Sequence, residues 1–542
     1  MKTRIILAAL LLGSALSAGA QNMYDALKFS STQYYGSART VGMGNAVTAV
    51  GGDIGSITFN PAGSAVAGYS QISVTPVLSI SSNRTTGSIL TEGATLPDGF
   101  GDDNTSRHPR MAAPSFGAVL NVDTHRSRGL VSYSWGIVGN STNNFLNEVY
   151  ASGVNTRTTY LGYLATQADG IPSSGLNSSS AYNNYPWLPV TAYQGGLIAT
   201  YGGYTDKYAG ATEFIEGDDI GLAGDIDQRF GQLIYGNKYD LAFNWAGNIN
   251  NVFYIGANIG ITSLTYRYDD YIREQALHSS DFPIEFDDGV TRFFENAKSR
   301  YSYTATGAGL YAQLGFLARL PMGLRVGAMI QTPTVLAVKE RWSQDMTIYY
   351  NDTDASAESP SGSGAYRLRT PWKVSAGLAW TLGESLLLSA DYEMMNYKNM
   401  KLRSSYNYDD DFGDANWDIS QWMGISHTLR VGAEYKPLPQ LALRAGYGLV
   451  TSPEKGDDGN FVPKARTMLA SGAPRSRDDI FSAGIGYSSD GSFFADLALR
   501  IRLRDNSYIT PYDNYIDDVY SPEISVLRQN LWDALVTIGW RF

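Results

Sequence analysis

The 542-residue sequence contains no cysteine. That excludes disulfides, thiolate metal sites and a cysteine-linked lipid anchor. Histidine is nearly as scarce: His108, His125, His278 and His427 are scattered without ligand spacing. No metal and no cofactor is expected. Beyond the first twenty residues there is no apolar run long enough for a membrane-spanning helix. Helical periodicity is rare. No G-x-S-x-G elbow is present, and His427 falls on the outward register of its strand, so no enzyme activity is expected. The net charge of −11 argues against nucleic acid as a partner.

Glycine and tyrosine are abundant, at 57 and 37 residues. Residues 1–20, "MKTRIILAALLLGSALSAGA", start with Lys2 and Arg4 and run through Ile5 to Leu12. They end on Ala18-Gly19-Ala20, so a cleaved secretory signal peptide is expected. At the far end, Trp532, Ala534, Val536, Ile538, Trp540 and Phe542 alternate with polar or small residues. Period-2 alternation predicts a strand, here with aromatics at both ends. Similar segments begin near Ile72, Phe116, Val131, Tyr239, Phe253, Leu310, Leu324, Trp372, Leu386, Leu429, Leu441, Phe481 and Ala495.

Short connections, such as "LPMG" (320–323) and "LGES" (382–385), alternate with long polar stretches near 81–114, 139–238, 263–305, 333–367, 397–426, 449–479 and 503–530. Short turns at one end and long loops at the other predict an all-β, transmembrane antiparallel β-barrel of about 14 strands. Its place would be the cell outer membrane, among outer-membrane lipid, as a monomer with periplasmic termini.

Arg319, Arg325, Lys373, Asp391, Glu393, Arg430, Glu434, Arg444, Asp496, Arg500 and Arg541 fall on the inward register. Mixed signs on neighbouring strands fit either a salt-bridged wet interior or a selectivity lining. "GMGNAV" (42–47) lacks the strand and βαβ unit of a dinucleotide fingerprint. The acidic stretches 406–418 and 268–271 lack calcium-loop spacing and read as solvated loops. The 139–238 stretch is too apolar for a plain loop. Phe145, Leu146, Val149, Tyr150, Leu161, Leu164 and Trp187 would either pack on one another or line a groove for a hydrophobic ligand.

Residues 42–63, "GMGNAVTAVGGDIGSITFNPAG", resemble the hatch segment of the FadL/TodX family of outer-membrane transporters of hydrophobic compounds. Asn60-Pro61-Ala62 stands at the family's NPA motif. "PSFGAVL" (114–120), "RTPWKVSAGLAW" (369–380), "LRVGAEY" (429–435) and the terminal aromatic strand are similar too. The resemblance implies a signal peptide (1–20), an N-terminal hatch/plug inside the lumen (21–68) and a barrel (69–542).

Phe59, Asn60, Pro61, Ala62 and Gly63 would form the hatch. Met23, Tyr24, Leu27 and Phe29 would lie near a deep apolar site. Ligand would leave through the wall at a kinked third strand, where Gly136 and Gly139 would supply the kink. The implied function is passive uptake of hydrophobic small molecules, either long-chain fatty acids or aromatic hydrocarbons. A docking role in protein secretion on the same scaffold is the alternative.

Overall fold

The computed structural model describes residues 22–87, 99–216, 219–405, 412–455, 477–489, 491–504, 507–513, 515 and 521–542. The expected signal peptide and residues 406–411 of the acidic stretch lie outside them. The described residues form a closed antiparallel barrel of 14 strands. In chain order they are β1 (Gln71–Gly87), β2 (Asn104–Asp123), β3 (Leu130–Asn143, then Asn147–Asn155), β4 (Ile226–Ile249), β5 (Phe253–Ala276) and β6 (Thr291–Arg319).

Next come β7 (Leu324–Gln331, then Val335–Tyr350), β8 (Gly362–Arg369, then Lys373–Leu382) and β9 (Leu386–Asn396, then Lys401–Ser404). The set ends with β10 (Ile425–Leu438), β11 (Leu441–Thr451), β12 (Arg477–Ser488), β13 (Phe493–Arg504) and β14 (Ile524–Arg541). Each strand pairs with its sequence neighbours, and β14 closes onto β1, with Trp540 opposite Ile72. Closure pairs the turn-side half of every strand on both sides, as a hydrocarbon environment demands.

Two zones divide the wall. Toward the short turns, apolar side chains point outward: Ile259, Leu314, Leu378 and Leu499 are exposed, and Trp380, Tyr435 and Trp540 lie near the turns. Inward positions there are polar, including Asn258, Thr262, Gln313 and Asp391, all buried. This is the lipid-facing belt of a membrane barrel.

Toward the long loops the register continues but the polarity inverts. On β5 the outward residues change from Ile259 and Ile261 to Ser263, Thr265 and Arg267, while Leu264 and Tyr266 turn inward and are buried. The same switch puts Ala305, Leu336, Val338, Tyr366 and Leu368 inside. The stretches 263–305 and 333–367 are therefore largely strand. They rise beyond the belt as a water-facing barrel with an apolar interior, where polar loops are expected from the sequence. Their outward side chains meet water, so the polarity that marks a strand in lipid reverses.

Candidate functional site in the lumen

Residues 22–68 pack against the inner wall. A helix, α1 (Met23–Ser30), opens the segment; Asn22 and Asp25 form its capping box. Further on, Asn60 caps a short 3-10 turn, Pro61–Val66, by accepting from Ala62 N at 3.1 Å. Its amide also donates to Thr48 O at 2.8 Å and to Phe316 O of β6 at 2.9 Å. Asn244, Asn258 and Gln313 donate from the wall to the carbonyls of Pro61, Ile57 and Thr58.

Backbone can come this close because the facing wall positions are glycines. A Cβ on Gly256 would sit 2.4 Å from Pro61 C, and one on Gly446 2.1 Å from Gly44 N. The inward charges bind this segment and each other. Glu434 bridges Arg39 (2.9 Å) and Arg444 (2.7 Å), Arg444 reaches Asp496 (2.6 Å), and Asp391 accepts from Thr48 N (2.8 Å).

Above this layer the lumen holds a large apolar cluster. Phe29 of α1 stands edge-on to Tyr266 (5.4 Å) and Phe145 (6.4 Å), with Leu264, Leu336, Tyr366, Met395 and Tyr397 in the same cluster. Lys28 pairs with Asp25 at 2.8 Å and lies over the rings of Tyr266 and Tyr303. Beside α1 is a cavity of about 330 Å³. Leu27, Met395, Tyr397 and Ile480 give it an apolar side; the other side is charged, with five arginines, among them Arg430, Arg500 and Arg502, against Glu393, Glu454 and Asp478. Arg500 holds Asp533 at 2.7 Å, Arg502 holds Asp478 at 2.7 Å and Arg430 holds Glu393 at 3.3 Å. Such a chamber can accept an apolar body with an acidic end.

The wall has a break. The β2–β3 ladder runs up to Ser115 opposite Asn140 and stops. Higher up, β3 stays on β4, while β2 stays on β1. The chain turns between the two halves of β3 at Phe145, which has φ of 55°. The inward-leaning stretch of β3 is held by the N-terminal segment: Tyr35 N donates to Ser141 O (3.0 Å), and Asn144 Nδ2 donates to the Tyr35 hydroxyl (2.7 Å). Arg110 of β2 crosses the gap to the carbonyls of Asn144, at 3.2 Å, and Gly236. A small cleft lined by Tyr35, Ala112, Pro114, Ser141 and Asn144 marks the spot.

No protein-family model and no curated protein matches the sequence. Solved structures do. A FadL homologue from Pseudomonas aeruginosa is 13% identical, with 94% of this chain and 99% of that chain aligned at a TM-score of 0.50. The toluene transporter TodX from P. putida is also 13% identical, with coverage of 94% and 98% and a TM-score of 0.50. This chain has the FadL/TodX barrel fold.

Within this FadL-type barrel, Met23, Leu27 and Phe29 join the upper-lumen cluster, and Phe145 comes from the 139–238 stretch to meet them. Tyr24 is half-buried on the same helix. Val149, Leu161 and Leu164 go elsewhere, into a separate core that caps the loop end. They are buried at 1% exposure or less and pack on one another's neighbours, not along an open groove. Leu146 is buried and Tyr150 half-buried nearby, while Trp187 stands against Trp342 at 6.1 Å.

That cap is pinned by buried Glu274, which accepts from Thr159 Oγ1 (2.6 Å) and Tyr160 N (2.7 Å) at the start of the loop helix Tyr160–Ala168. Gly139 lies one residue before the ladder ends, whereas Gly136 sits in regular pairing with Val119. Phe59 packs on Tyr34, at 4.9 Å between ring centroids. Tyr266, Tyr303 and Met395 are residues of the upper-lumen cluster that alternation stopping at the belt edge does not reveal. Continuing the inward β5 parity from Thr262 through Leu264 to Tyr266 finds the first of them.

Proposed function

We propose that the chain is an outer-membrane channel for passive uptake of hydrophobic molecules, with residues 21–68 as its hatch. The observation that carries this reading is the polarity inversion, which gives the loop-side lumen an apolar cluster directly above the layer of residues 22–68 packed on the inner wall. Polar surface sugars slow apolar solutes, and an apolar chamber offers them a path. Each buried methylene contributes about 0.8 kcal/mol. A solute entering at the loop end would settle beside α1, displace its contacts and leave through the gap between β2 and β3.

The excess of lining arginines over carboxylates, five against three, beside Leu27, Met395 and Tyr397 favours a long-chain acid over a bare aromatic hydrocarbon such as the toluene that TodX is named for. The test is displacement of a fluorescent fatty acid from the purified protein. Laurate should compete at least about tenfold better than dodecane or toluene, because a charge-assisted hydrogen bond adds roughly 1.5 kcal/mol or more. Failure of laurate to compete at all would overturn the assignment.

A further inference from the structure

The outward face of β7, β8 and β9, just above the apolar belt, carries Lys339, Arg341, Arg367, Arg369, Lys401 and Arg403. All are exposed. Arg367 stands directly opposite Arg403, and Arg369 opposite Lys401. Directly opposed side chains have Cβ atoms about 5 Å apart, and like charges there destabilise the sheet. Among the described residues none of these cations has an ion pair or hydrogen bond. Among the described residues, the carboxylates of these strands point elsewhere. Glu340 accepts from the Tyr303 hydroxyl on the inner side, and Asp345 and Glu358 oppose each other higher up. The helix Gly413–Trp422 docks on β9 through Asn416, and its Asp414 and Asp418 form no ion pair with these cations among the described residues.

Directly below the cations the same face is apolar. Val335 is opposite Arg369, and Trp372, Val374 and Leu310 are exposed. The cations therefore start within one residue of the lipid belt, at the height of headgroups. With strands about 4.8 Å apart and same-face residues about 6.8 Å apart along a strand, the patch spans roughly 10 Å by 20 Å. That exceeds one phosphate and matches a phosphorylated sugar headgroup.

We propose that this face binds the phosphates of an outer-leaflet glycolipid, whose acyl chains lie on Val335, Trp372 and Val374. The inference rests on the loop end facing outward, as the channel reading has it, and not on which solute is carried. Charge complementarity, two strained like-charge pairs and continuity with the belt all point to a phosphorylated lipid as the occupant.

The test uses the full-length protein purified in detergent and native mass spectrometry with bis-phosphorylated lipid A, phosphate-free lipid A and phosphatidylglycerol as probes. The wild type should retain bis-phosphorylated lipid A in preference to both others. The R367Q/R369Q/K401Q/R403Q variant should retain it at least about tenfold less, since each cation removed is one attraction to the anionic headgroup lost. R126Q/R128Q, on a short turn at the opposite end, should behave as wild type. A heat-modifiable gel shift verifies that each variant is folded. Equal retention by wild type and the four-site variant, or retention indifferent to the lipid phosphates, would overturn the proposal, as would equal binding of phosphatidylglycerol. Uptake plays no part in this measurement, so loss of the channel reading and loss of this one are separable.

Discussion

Asn60 joins three pieces of chain through one buried amide: the turn it caps, the Thr48 carbonyl within the N-terminal segment, and Phe316 on the wall. Leaving those buried partners unpaired costs about 1–3 kcal/mol. Asn60→Ala should therefore loosen residues 57–66 and raise ion conductance in planar bilayers, while the heat-modifiable gel shift persists. Unchanged conductance would remove Asn60 from the hatch. Glu454, in the loop after β11, offers a pH handle at the chamber's edge. Burial pushes its carboxyl up from 4.5 to about 7. The folded state thus favours the neutral acid. Its stabilisation is present below about pH 4.5 and is lost as pH rises to about 7. Amide-exchange protection of residues 450–455 should fall between pH 5 and 8, and E454Q should flatten that dependence.

At the scale of elements, the inward glycines of β5 and β11 set how close the N-terminal segment lies. Gly256→Val places side-chain atoms where the Pro61–Ala62 peptide now runs. The variant should assemble as a barrel yet expose residues 57–66 to limited proteolysis several-fold faster, a loss of roughly 1–3 kcal/mol for overpacking. Unaltered cleavage would show that the segment sits elsewhere. The belt-spanning part of each strand was legible in the sequence, because lipid outside and a wet filling inside enforce one polarity alternation. The upper halves of β5 to β8 were not, because water outside and an apolar lumen inside reverse that alternation without changing the register. Leu264 and Tyr266 then read as strays in a polar loop. Phe145 was legible as too apolar for solvent, but its partner could not be. Only the turn between the halves of β3 brings it to Phe29 and Tyr266.

As a whole molecule, the barrel stacks a cap core, an apolar chamber and a belt against whose inner wall residues 22–68 pack, with a break in the wall between β2 and β3. The N-terminal segment touches both the chamber, through Phe29, and the break, through Tyr35. A ligand that moves α1 would therefore act on the contacts that hold the gap. The central claim is that solute leaves through this gap and not down the barrel axis. The chain has no cysteine, so a pair introduced at Ala112 and Ser141, on the two sides of the cleft, can be joined selectively by a short reducible bifunctional reagent. The decisive measurement is uptake of radiolabelled laurate by cells carrying this pair, before cross-linking, after it, and after reduction. The account predicts uptake that falls to the level of cells lacking the protein and returns on reduction. Uptake unaffected by the cross-link would contradict it.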